Sequence, residues 1–420
     1  MSDEGVDSTV AERLVEDLLA RAPGVPPTEL TALVNEYARA LGLRGVEVFL
    51  IDLQQRRLVP LDGDQPALDV DTSPPGWVYR TLTQRVDESG DEIHAWFPLV
   101  DGVERLGVVG VRTARLDAAA LRRCRALVSL LALLVTSKRM YSDSYVKRTR
   151  AEPMQLPSEM LRAFLPPRTV SDGHAVSTAI LEPAYELGGD AFDHALTGDC
   201  LYATILDSMG HDLASGLTTA VATAGCRNAR RVGAELPELA ESVDSALDEW
   251  LPDRFCTGIF MQLSLADGRF RWCNCGHPTP VLIRDEKVVE GAFERTPQPP
   301  MGMPARLAEI VREVHEVQLL PGDRVFCFTD GVTEGRVRDG AEFGLTRFTE
   351  SVIRATAAGE PAPETLRRLM HAILDRDHNQ LQDDATIMLV EWRPRQSPAQ
   401  AQAQGPDAQR PEAQGPLGEP

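Results

Sequence analysis

Apolar residues recur along this chain with two periods, and the switches between them divide it into elements. From about Pro27, the positions Leu30, Leu33, Val34, Tyr37, Ala38 and Leu41 fall on one helical face. The stretch Val46-Glu47-Val48-Phe49-Leu50-Ile51 then predicts a strand. A polar, proline-containing loop follows. Residues 92–100 and 106–111 predict two more strands, with Asp101-Gly102 between them as a hairpin signal. A long helix is expected over 118–141.

Further on, 200–206 predicts a strand. Leu213, Leu217, Ala220, Val221 and Ala224 mark a helix over 213–231, and Leu239, Val243, Ala246, Leu247 and Trp250 mark a second. Residues 257–264 and 269–275 predict strands joined through Ala266-Asp267-Gly268, and 324–329 and 386–392 two more. The chain thus divides into five parts. Residues 1–26 are expected to be disordered or a short helix, 27–140 a first domain, and 141–168 a helical linker ending at Pro166-Pro167. Residues 169–394 form a second, strand-rich domain. The stretch 395–420 holds Gln, Ala, Pro, Gly and a few charges, and nothing in it builds a core. No internal repeat is visible.

At 420 residues the chain has room for two ordinary cores, and 43% hydrophobic with 25% charged residues is a globular composition. The net charge of -20 argues against binding nucleic acid through its phosphates, and against docking on an anionic membrane. The longest apolar run, 126–136, falls short of the roughly 18 residues a membrane span needs. No membrane insertion is therefore expected. The acidic start lacks a signal-peptide pattern, so a cytoplasmic location is expected. Seven scattered cysteines fit reduced thiols, and Cys273 and Cys275 share a strand face as core residues.

Four short acidic motifs change the picture: Gly188-Gly189-Asp190, Asp207-Ser208-Met209-Gly210-His211, Thr329-Asp330-Gly331 and Asp383-Asp384-Ala385-Thr386. Each sits where an apolar strand meets a turn, which lets distant carboxylates converge at one sheet edge. Carboxylates held that close repel unless a hard cation neutralises them. Oxygen-only ligation favours Mg²⁺ or Mn²⁺ over zinc. Glycine at 188 and 189 is expected to give the sharp bend that brings Asp190 to the site.

The ordered set GGD-x-F-D, D-x-MGH, Cys275 to Pro280, Pro321-Gly322-Asp323, FTDGVTE from Phe328 to Glu334, Phe343-Gly344 and DDAT resembles the PPM-type (PP2C-like) serine/threonine phosphatases. Within them it is closest to the bacterial branch of SpoIIE and RsbU. The resemblance covers about residues 161–392 and implies an α+β fold, an α/β/β/α sandwich of two antiparallel sheets. The layout of residues 27–139 resembles a GAF-type α+β sensory domain.

Carried over residue by residue, the resemblance implies metal ligation by Asp190, Asp207, the Ser208 carbonyl, Asp330 and Asp383, with Asp384 ligating or orienting. It implies two Mn²⁺ or Mg²⁺ ions bridged by a hydroxide that attacks phosphorus in line. His211 is a candidate proton donor to the leaving alkoxide. Asp212 stands where the family usually has glycine, and either faces solvent or joins the metals. His277 reads as a turn residue, Asp193 as a support or a cap, and Arg162 and Arg168 as possible phosphate contacts. The implied substrate is a phosphorylated STAS-type anti-sigma-factor antagonist. A small ligand or activator protein would act on the first domain, and the 118–141 helix suits a homodimer. Two other readings stay open: a non-catalytic binding module of the same fold, and a phosphatase of small phosphoesters.

Overall fold

The computed structural model describes residues 8–394, apart from 64, 90–91, 187, 211, 297, 304–310, 335–343, 377–380 and 382. The expectation for the tail at 395–420 lies outside the described residues.

The first part opens with helices α1 (Ser8–Arg21) and α2 (Leu30–Ala40) and strands β1 (Gly45–Ile51), β2 (Arg57–Pro60) and β3 (Leu68–Asp69). Helix α3 (Pro74–Thr81), strands β4 (Arg85–Ser89), β5 (Glu92–Asp101) and β6 (Glu104–Thr113) and helix α4 (Ala118–Arg139) follow. The six strands form one antiparallel sheet in the order β3-β2-β1-β6-β5-β4. Val46, Val48 and Leu50 pack with α2 and α4, whereas Phe49 and Ile51 pack with Val78 and Tyr79 of α3. Burial on both faces explains why β1 is apolar at every position from 46 to 51 except Glu47.

The expected loop between β1 and β5 in fact holds β2, β3, α3 and β4. These strands are short, and α3 begins with Pro74-Pro75, a pair that reads as a breaker but fits a helix's first turn. Ser73 caps it by accepting from the Gly76 N–H at 3.0 Å. The long helix ends at Arg139, and Ser142 caps a separate α5 (Asp143–Thr149). Helix α6 (Leu156–Phe164) stops just before Pro166-Pro167.

The second part contains β7 (Thr169–Ser171), β8 (Ala175–Glu182), β9 (Asp190–Leu196), β10 (Cys200–Ser208), α7 (Leu213–Arg231), α8 (Leu236–Trp250), β11 (Cys256–Ser264) and β12 (Arg269–Cys275). It continues with β13 (Val281–Arg284), β14 (Lys287–Val288), β15 (His315–Gln318), β16 (Arg324–Phe328), α9 (Gly331–Glu334), α10 (Gly344–Ala357), α11 (Ala362–Arg376) and β17 (Ala385–Trp392). Two antiparallel sheets result, β15-β12-β11-β10-β9 and β14-β13-β16-β17-β8-β7.

Their facing surfaces share a core that includes Phe192, Ile205, Met261, Trp272, Val325, Met388 and Val390. The outer face of the first sheet packs on α7 and α8, where Cys273 and Cys275 are buried. The outer face of the second packs on α10 and α11 through Phe328, Phe348, Leu366 and Met370. The layering is α/β/β/α, as the resemblance implied. Among the described residues no helix is long and apolar enough to cross a membrane.

Candidate functional site

The acidic motifs meet where both sheets end. Strands β9 and β10 pair so that Asp190 stands opposite Asp207. Such cross-strand neighbours lie about 5 Å apart, and like charges there repel. From the second sheet, Thr329 follows β16, and Asp383-Asp384 directly precede β17. Thr329 Oγ1 and Thr386 Oγ1 each donate to Asp190 Oδ2 at 2.7 Å, stitching the two sheets together at this carboxylate. The Thr386 N–H donates to Thr329 Oγ1 at 2.9 Å.

Asp384 holds the glycine turn. Its Oδ2 accepts from the N–H groups of Gly188, Gly189 and Asp190 at 2.7, 2.6 and 3.2 Å. A Cβ on Gly189 would lie 2.6 Å from the Ser208 carbonyl oxygen and 2.7 Å from that of Gly210. Close approach, not positive φ, is what requires glycine at 189. Positive φ occurs instead at Gly210, at +89°. Thr219 Oγ1, on α7, donates to the Gly189 carbonyl.

The electrostatics follow from burial and crowding. Burial raises the Asp190 carboxyl well above the usual range, the charges of Asp207 and Asp384 push it further, and the two threonine hydroxyls oppose the rise. Asp330 is raised by burial and then by Asp383. Burial also raises Asp384, against the three backbone N–H groups that favour its charge. Asp383 Oδ1 accepts from the Asp384 N–H at 2.9 Å.

The donors are oxygens of carboxylates and carbonyls, the type that suits a hard cation. As placed, however, the carboxylates form repelling pairs, and no three described His, Cys, Asp or Glu side chains make a closed ligand set. The chemistry of the residues fits Mg²⁺ or Mn²⁺.

Other expected residues have different work. His211 lies outside the described residues. Asp212 is exposed and caps α7 in a box with Ser215, accepting from its N–H at 2.9 Å. His277 is 6% exposed in a turn clamped by Asn274, with Nδ1 3.3 Å from Thr257 Oγ1, and burial lowers its pKa to about 3. Asp193 is a buried anchor, paired with Arg227 at 2.6 Å and Arg230 at 2.5 Å. Arg162 donates to the Ala184 carbonyl and Arg168 to that of Leu53. The roles of Thr219, Thr329 and Thr386 were not foreseen, although Thr329 and Thr386 stand inside the motifs.

Residues 197–393 match the family model described as Stage II sporulation protein E (SpoIIE). Asp207, Asp330 and Asp383 fall within the matched stretch, and Asp190 precedes it. Over 155 residues the chain is 25% identical to the phosphoserine phosphatase RsbP of Bacillus subtilis (strain 168), spanning 36% of this chain and 37% of that protein. The chain therefore covers little more than a third of that relative's length. Among solved structures it is similar to the SiaA-PP2C domain of Pseudomonas aeruginosa, with 20% identity, 56% of this chain and 92% of that one covered, and a TM-score of 0.47. It is also similar to the RsbU and RsbW domains of a Mycobacterium tuberculosis protein, with 21% identity, 53% and 62% covered, and a TM-score of 0.45.

Proposed function

We propose that the chain is a metal-dependent protein serine/threonine phosphatase of the SpoIIE kind, a reading supported by the match of residues 197–393 to that family model. The observation that carries this reading is the meeting of the acidic motifs at one end of the sandwich. There Asp190 faces Asp207 and is bonded to Thr329 and Thr386, while Asp384 grips the glycine turn.

Asp190, Asp207, the Ser208 carbonyl, Asp330 and Asp383 would hold two Mn²⁺ or Mg²⁺ ions. When bound, the ions supply a water of lowered pKa and neutralise charge on the phosphoryl oxygens. The chain's own contribution is placement. The hydroxyls of Thr329 and Thr386 favour the ionised form of Asp190 and fix its Oδ2, and Asp384 keeps the turn before it closed.

The proposed substrate is the phosphorylated serine or threonine of a STAS-type anti-sigma-factor antagonist, so that dephosphorylation acts in partner switching. The name of the relative RsbP, a phosphoserine phosphatase, supports that chemical class. The first domain is proposed as a GAF-like sensor of a small ligand or activator protein. A homodimer through α4 is supported by the exposure of Leu133 (60%) and of Met140 (81%) and Tyr141 (66%) just after it.

The test is Mn²⁺-dependent phosphate release from a phosphorylated STAS-domain protein by the wild type and by Asp330→Asn. Release by the wild type and loss of at least about 100-fold in the variant is the expected result, the scale of a lost charge-stabilising group. Equal rates would remove Asp330 from the site. Binding of the phosphoprotein without release by either chain would favour a non-catalytic binding module.

A further inference from the structure

A buried charged seam joins the first domain to α11. Arg105 of β6, 4% exposed, donates from Nη1 to Glu364 Oε2 at 2.8 Å and from Nη2 to the Pro363 carbonyl at 2.9 Å. Glu364, 1% exposed, accepts from Arg367 on both oxygens at 2.9 Å. Arg367, equally buried, reaches across to Asp71 beside α3. One turn on, His371 Nε2 lies 2.8 Å from the Gln54 carbonyl, and Asp375 pairs with Arg56 at 3.1 Å. Residues 364, 367, 371 and 375 line one face of the helix.

The opposite face of α11 packs on the catalytic sandwich. Leu366, Leu369, Met370 and Ile373 share a core with Ile180 of β8 and Ile387 and Leu389 of β17. Strand β17 begins directly after Asp383-Asp384, and only seven positions separate Arg376, the end of α11, from Asp383. One helix thus touches the first domain on one side and the strand that follows the acidic turn on the other. Buried ion pairs add little net stability but specify geometry, and removing one partner is felt strongly.

We propose that α11 is a relay. Arg105, Glu364 and Arg367 act as positioning residues that set the Asp383-Asp384 turn, and through it the Gly188–Asp190 turn, according to how the first domain sits. The functional meaning of this relay rests on the phosphatase reading. Its physical content does not, because it is a claim about the order of two turns in the protein alone.

The test is hydrogen exchange, read by mass spectrometry on the full chain without substrate, comparing the wild type with Arg105→Met and Glu364→Gln. Arg105→Met leaves Glu364 paired with Arg367, whereas Glu364→Gln leaves Arg105 with only the neutral acceptors Gln55 and the Pro363 carbonyl and is the more disruptive of the two. Asp71→Asn, at a side chain 57% exposed, is the variant whose folding is not at risk.

The expected result is exchange at least fivefold faster at the amides of Gly188, Gly189, Asp190 and Thr386, besides faster exchange at the seam. Faster exchange confined to residues 52–57, 69–80 and 362–376, with the site amides unchanged, would overturn the relay. Since no turnover is measured, that outcome is distinct from a failure of the phosphatase reading.

Discussion

Asp190 sits where burial and two neighbouring carboxylates oppose its ionisation, and two threonine hydroxyls favour it. Each hydroxyl is a buried donor to a charged acceptor, an interaction worth about 1.5–3 kcal/mol. Thr386→Val keeps the shape and removes the donor. It should lower stability by about 2 kcal/mol in denaturant unfolding and weaken Mn²⁺ binding, measured by calorimetric titration. Thr386→Ser, which restores the donor, should recover both; a Ser variant as impaired as the Val variant would assign the effect to packing. The carboxylates themselves were legible in the sequence because Asp beside Gly at a strand end is a recognisable local pattern. The threonines were not, since their partner lies 139 and 196 positions away and no local spacing reports such a bond.

Among elements, α7 shows how one helix is fixed at both ends. At its start the Asp212–Ser215 box satisfies N–H groups that the helix leaves unpaired. Further along, Arg227 and Arg230 close on Asp193 of β9, a carboxylate only 3% exposed. The two anchors differ in worth. Asp212→Ala removes an exposed cap and should cost about 1 kcal/mol. Asp193→Asn leaves two arginines facing a neutral group in a buried setting and should cost about 3–5 kcal/mol, with phosphate release falling because β9 carries Asp190. Thermal unfolding of both variants checks the order; a larger loss for Asp212→Ala would reverse it. Helix α7 was legible because its apolar positions repeat along one face. Helix α11 was missed for a physical reason: Glu364 and Arg367 interrupt its pattern with charges that the other domain covers, and His371 and Asp375 add polar positions along the same face.

Across the whole molecule, buried titratable groups in the sandwich and at the seam give stability a definite pH dependence. The seam joins residues 259, 296 and 317 positions apart, so no reading of local pattern reaches it, whereas the sandwich was implied by the family resemblance that the ordered motifs carry. Burial lowers the pKa of His194 and His371 to about 4 and of His277 to about 3. These imidazoles stay neutral in the fold while the unfolded chain protonates near 6.5, so stability present above that pH is lost as it falls towards 4. Glu182 works in the opposite sense. Burial raises it to about 7, so its protonated form favours the fold, and that contribution grows as pH falls from 7 towards 4.5. Between pH 8 and 5 each histidine removes about 2 kcal/mol and Glu182 restores about 2–3 kcal/mol, with the raised carboxyls of Asp190, Asp330 and Asp384 acting in the same sense as Glu182. Glu182→Gln abolishes one compensating protonation, so its stability should change less favourably than the wild type's on acidification, by about 2–3 kcal/mol over that interval, read by scanning calorimetry at both pH values. An unchanged slope in the variant would mean that Glu182 ionises inside the fold near its ordinary pKa, held charged by Arg162 and Arg168, whose charges favour its ionised form.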